Sequence, residues 1–196
     1  MAMNKKGINL IFALIVIGLG STAVYSIYKS SGNPGLRTTA PDEPSTEPLP
    51  ENGSPVETDQ QLAALTQMSV EDPQNADIQA EIGNIYYDRK EYDKAIVYYQ
   101  KSLDLQPGNP SVETDLATCL HYTGRDDEAL KLLDKVIKNR PDFLQALYNK
   151  GIVLIHGKND IEGGIAVWEK LLKSDLDPTK RAELEQSIQQ LKSSIR

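Results

Sequence analysis

Pro73, Pro107 and Pro141 stand 34 residues apart (107 − 73 and 141 − 107). A fixed period of roughly 20–50 residues marks a repeat architecture, in which each unit buries its apolar face only by stacking on its neighbours. Each proline follows an amphipathic run, DQQLAALTQMSVED, YDKAIVYYQKSLDLQ and DDEALKLLDKVIKNR. Apolar residues three and four apart in these runs lay one stripe along a helix, and the proline, lacking a backbone donor, ends it. The chain from about 59 to 196 is thereby constrained to an array of short helices.

Between the prolines the residue types also recur in register. Gln79, Ile82, Gly83, Tyr86, Ala95, Tyr99 and Pro107 are matched by Glu113, Leu116, Ala117, Leu120, Ala129, Leu133 and Pro141. Small residues at Gly83, Ala95, Ala117 and Ala129 let two antiparallel helices approach closely, while Tyr86, Tyr99, Leu120 and Leu133 fill the space beside them. The pattern resembles the tetratricopeptide repeat, W-x2-L-G-x2-Y…A-x3-F…P, and departs from it only at the first position, where Gln79 and Glu113 stand. A third unit begins near Leu144, with Leu147, Gly151 and Leu154 in register but Lys150 where an apolar residue is expected. After HGKND the register slips: Gly164 and Trp168 fall one residue late, and Pro178 follows Pro141 by 37 residues (178 − 141).

The resemblance implies an all-α solenoid of antiparallel helix pairs, preceded here by one transmembrane helix. Its expected parts are a leading helix in 59–75 with Leu62, Leu65 and Met68, repeats at 76–109, 110–143 and 144–178, the last divergent, and a capping helix at 178–196. Leu184, Ile188, Leu191 and Ile195 give that cap a single apolar stripe. In this family the first helices line a groove that binds peptide or protein segments. Carried onto this chain, the groove takes Asp77, Ala80, Glu81, Asn84, Tyr87 and Asp88 from the first repeat and Ser111, Thr114, Asp115, Thr118, His121 and Tyr122 from the second. Gln145, Tyr148, Asn149, Ile152, Ile155 and His156 come from the third. Repeats that clamp a chaperone's C-terminal carboxylate need Lys and Arg at several of these positions. Of that set only Asn84 is present, and Asp115 opposes an anion. The expected occupant is a polar or basic segment with an apolar anchor near Tyr87, Tyr122 and Tyr148. Of the five tyrosines in GNIYYDRKEYDKAIVYYQ, Tyr86 and Tyr99 hold core positions, Tyr92 the turn and Tyr98 the outer helix, which leaves Tyr87 for the groove.

Upstream the chain changes character. After Lys5 and Lys6, residues 7–28, GINLIFALIVIGLGSTAVYSIY, carry no charge. At about 1.5 Å per residue they span the roughly 30 Å hydrocarbon core as a helix. Ser21-Thr22-Ala23 offers a cleavage signature, but the apolar run continues past it, so residues 1–29 are read as a retained single-pass anchor in the cytoplasmic (inner) membrane. The N-terminus is expected in the cytoplasm and the repeats on the outer, periplasmic side. Residues 30–58 hold six of the eleven prolines and few large apolar groups, which makes them a linker.

Other functions are disfavoured. A net charge of −7 opposes nucleic-acid binding. One cysteine, Cys119, forms no intramolecular disulfide, and with only His121 and His156 beside it no metal site or cofactor is expected. No nucleophile–base motif or phosphate loop is present, and Asp126, Asp127 and Glu128 read as the start of a helix, so the chain is not expected to be an enzyme. The expectation is a membrane-tethered scaffold for assembling an envelope or membrane complex. A weaker resemblance, carried by AVWEKLLK, is to the repeat subunits of bacterial cytochrome c maturation and heme-lyase systems that hold apocytochromes. The alternative is a self-associating structural protein, a homo-oligomer.

Overall fold

The computed structural model describes residues 55–195. The expected anchor and nearly all of the expected linker lie outside the described residues, among which no helix is long and apolar enough to cross a membrane.

Eight α-helices occur among the described residues: α1 (Pro55–Glu71), α2 (Ala76–Asp88), α3 (Tyr92–Leu105), α4 (Pro110–Tyr122), α5 (Asp126–Asn139), α6 (Leu144–Ile152), α7 (Ile161–Leu171) and α8 (Pro178–Ser194). A π-helical turn, Val153–Gly157, continues α6. Starts are set by local chemistry. Asn75 accepts from the Ile78 amide, Asn109 from Ser111 and Val112, Asp160 from Gly163, and Asp177 from Thr179 and Lys180. Each cap satisfies amides that the first helical turn leaves without partners. Pro110 and Pro178 occupy the first turn, where a missing N–H costs nothing. Pro55 does the same for α1, which begins four residues before the expected start of the leading helix at 59.

The repeated positions do what their residue types dictate. Ala95, Ala129, Tyr99 and Leu133 are fully or almost fully buried, in one continuous core that runs from α3 through Val112, Leu116, Ala117 and Leu120 to Ala146 and Val153. A second cluster, Leu65, Ile78, Ile82 and Ile85, joins α1 to α2. Gly83 is required: a Cβ there would lie 2.7 Å from the Tyr99 ring. The two departures from the signature are still buried and partnered. Gln79 Nε2 donates to Ser69 Oγ at 2.8 Å, and Glu113 accepts from Lys135 Nζ at 2.6 Å.

The slip in the third pair has a structural cause. A π-helical turn accommodates one residue more than the α-helix it interrupts. In the first two pairs the turn between helices passes through a left-handed residue, Lys90 (φ 59°) or Gly124 (φ 78°), 34 residues apart (124 − 90); in the third it is Asn159 (φ 56°), 35 residues on (159 − 124). Past that extra residue, Trp168 packs where Tyr99 and Leu133 pack. A Cβ on Gly151 would fall 2.0 Å from its Nε1, which donates to the Tyr148 carbonyl at 3.0 Å.

α8 closes the array. Leu184, Ile188 and Leu191 are buried, while Ile195, expected on the same stripe, lies past the helix end and is exposed. Arg181 donates to the carbonyls of Leu172 and Ser174, and Lys192 pairs with Glu169. These contacts fix the cap to the end of α7.

Candidate functional site

The expected groove residues lie on the first helices, α2, α4 and α6, and the structure divides them into two sets. Where the first pair meets the second, aromatic rings gather. The Tyr87 ring meets that of Tyr92 edge-on at 5.8 Å and lies 6.5 Å from that of Tyr122; Tyr92 and Tyr122 stack at 4.5 Å. Tyr92 was assigned to the turn, yet the reversal of the chain at Lys90 brings it back beside Tyr87. Tyr122 is 54% exposed, so the cluster opens to solvent. A shallow cleft of about 530 Å³ flanks it, lined by Lys90–Lys94, Tyr122 and Thr123.

Two carboxylates sit beside these rings. Asp115, on α4, is densely surrounded by protein while keeping a narrow path to solvent, and its pKa is pushed up to about 7 by burial and then by the charge of Asp88. Asp88, at the end of α2, is more open, and desolvation raises its pKa too. Burial, then Tyr122 and Asp115, holds the Tyr87 hydroxyl well above the usual phenol range. Every ion pair among the described residues uses other carboxylates. The nearest polar partner of Asp115 is the neutral amide of Gln145, 3.5 Å away.

The second set is occupied by the protein itself. Thr114 is completely buried and does not line a groove. Asn149 is also buried, and its Nδ2 donates to Thr118 Oγ1 at 2.9 Å, while that hydroxyl donates to the Thr114 carbonyl. These three residues join α4 to α6. Asn84 accepts from the Tyr99 hydroxyl at 2.8 Å and so ties α2 to its own second helix. His121 Nδ1 lies 2.6 Å from Asp126 Oδ1, with both side chains largely buried. A Cβ on Gly157 would fall 2.3 Å from Asp126, so the third pair closes over this hydrogen-bonded contact.

Tyr148 stacks on Trp168 at 5.5 Å and is only half-buried; Ile152, the last residue of α6, is half-buried as well. Asp77 lies in the first turn of α2, where its charge suits the helix dipole, and is exposed. Desolvation and then the neighbouring His121 lower the pKa of His156. No group of three or more side chains able to hold a metal occurs among the described residues.

Tetratricopeptide repeat models match residues 60–110 and 86–150. The chain contains tetratricopeptide repeats. A TPR repeat-containing protein of Methanocaldococcus jannaschii, MJ1428, is 35% identical over 101 residues, which is 52% of this chain and 17% of that protein. Other curated relatives are also far longer than the aligned segment, which covers 12% of one and 21% of another. Among solved structures, the repeat domain is similar to MamA, with a TM-score of 0.62 at 19% identity, covering 71% of this chain and 79% of that one. It is also similar to the first TPR of Spaghetti (RPAP3) bound to the HSP90 peptide SRMEEVD, with a TM-score of 0.54 at 21% identity, covering 63% and 95%. At such identities these two share the fold.

Proposed function

We propose that the repeat domain is a non-catalytic interaction module that binds an extended segment of a partner protein along α2, α4 and α6, tethered to a membrane by residues 7–28. The observation that carries this reading is the ring cluster of Tyr87, Tyr92 and Tyr122, which stays open at Tyr122 on the first-helix face. Exposed tyrosine offers large contact area at little cost in side-chain entropy, which is why it anchors interfaces. A peptide complex of the same fold, that of Spaghetti, supports the mode of binding. The tether rests on the uncharged run at 7–28. AVWEKLLK names no partner, because its Trp168 is buried against Gly151 and Tyr148.

The test is an array of randomised 12-residue peptides probed with the full chain in detergent. A subset of peptides is expected to bind, and Tyr122→Ala, a change at an exposed position, is expected to weaken them about 10-fold, roughly 1.4 kcal/mol. Absence of any binder, or equal binding by the variant, would sink the reading.

A self-associating role is favoured by one feature, the open side of α1. Met68 is 47% exposed, whereas the residues 34 and 68 positions on, Ser102 and Val136, are 3% and 1% exposed. Light scattering on the eluted full chain decides this point: a monomer in each micelle removes self-association.

A further inference from the structure

The site between the first two pairs is acidic as well as aromatic, and among the described residues no cation pairs with Asp88 or Asp115. Elsewhere the repeats answer carboxylates with cations from a neighbouring helix: Lys135 pairs with Glu113, Lys150 with Asp134 and Lys158 with Asp127. At Asp115 the side chain that reaches across from α6 is Gln145, which carries no charge. The residue before it on α4, Thr114, is fully buried, and its hydroxyl has no hydrogen-bond partner among the described residues. The position equivalent to Asp115 in the third repeat, 34 residues on, is Asn149, a neutral residue bonded to Thr118. Asp115 is therefore a part-buried carboxyl that no cation among the described residues answers.

We infer that the partner segment presents a basic side chain, arginine above all, between Asp88 and Asp115 with Tyr87 and Tyr122 alongside; the inference rests on the groove reading above. Charge complementarity selects this occupant. A guanidinium forms charge-assisted hydrogen bonds with carboxylates and stacks on tyrosine faces, and it is less strongly hydrated than an ammonium. A segment as acidic as SRMEEVD, the peptide held by the Spaghetti domain, would meet repulsion here. Binding a cation also relieves the desolvated carboxyl of Asp115, which near neutrality is divided between its charged and neutral forms.

The same peptide array separates this inference from the reading it rests on. Binders are expected to be enriched in arginine, and to a lesser degree in lysine. Binders that show no basic preference would overturn the inference and leave the groove standing; no binders at all would overturn both. The best arginine peptide is then compared with its citrulline analogue by fluorescence anisotropy, with a loss of about 10-fold or more expected for the neutral form. Asp115→Asn keeps the shape of the side chain and is expected to erase the difference between the two peptides.

The pH profile gives a further readout. The groups facing Asp115 are Tyr87 and Asp88 from α2, Cys119 from its own helix and Gln145 from α6. The Asp115 carboxyl titrates at about 7, so affinity for the arginine peptide is expected to fall from about pH 8 to about pH 6 in the native chain and to fall by much less in Asp115→Asn. Equal affinity of the native chain and Asp115→Asn for the arginine peptide would refute the inference.

Discussion

The joint between the first and second helix pairs and the joint between the second and third use the same repeat positions and fill them differently. In the first, Tyr87, Tyr92 and Tyr122 stack around one another with an edge in solvent, and Asp88 and Asp115 are in no ion pair among the described residues. In the second, the residue 34 on from Tyr87 is His121, and it is paired with Asp126; the residue 34 on from Asp115 is Asn149, and it is bonded to Thr118. The later joint consumes its polar groups internally, and the earlier one leaves them to be answered from outside. An array that stacks through nearest neighbours can fix one interface firmly and keep the next available.

The sharpest way to break this contrast is at the third pair. Trp168→Ala removes the ring that packs on Gly151 and Tyr148 and is expected to cost about 3–5 kcal/mol in chemical denaturation, enough to unravel α7 and α8. Asn149→Ala attacks the second joint more gently. It strips Thr118 of a partner within a buried contact and is expected to cost about 2–3 kcal/mol.

Asp115→Asn has the opposite sign. In the folded chain the carboxyl keeps its proton up to about pH 7, whereas the unfolded carboxyl releases it near its ordinary value of 3.8. The folded state therefore binds the extra proton between those limits, and stability falls as pH rises through that window. The variant is expected to be about 1–2 kcal/mol more stable than the native chain near pH 8, with the gain vanishing toward pH 4, as thermal melts across that range would show. A residue that stabilised the joint would lose stability on substitution at every pH. The smallest effect is expected for Lys90→Gly, which relieves a left-handed lysine and is expected to add about 0.5–1 kcal/mol in chemical denaturation.

Much of the fold is legible in particular residues. The 34-residue interval, the small–large pairing of Gly83 with Tyr99, and the caps at Asn109 and Asp177 each act within one helix pair or one turn, so their consequences follow from local chemistry. The one-residue lag of Gly164 and Trp168 was visible too, and a π-helical turn takes it up. The site was less legible. Tyr87 and Tyr122 were expected on the groove face and meet there, but Tyr92 was assigned to a turn, and Thr114, Asn149 and His121 were expected to be available to a partner. Helix position says which way a side chain leaves its own axis; it does not say what the next helix brings against it.

The sequence by itself determined that this chain makes stacked helix pairs and which residues form most of their core, because helical periodicity and proline act over a few residues. Only the tertiary structure decided which of the groove positions are already spent and which are open. That outcome depends on side chains about one repeat apart in the chain and in contact in space, as Asn149 is with Thr118 and as the neutral Gln145 is with Asp115.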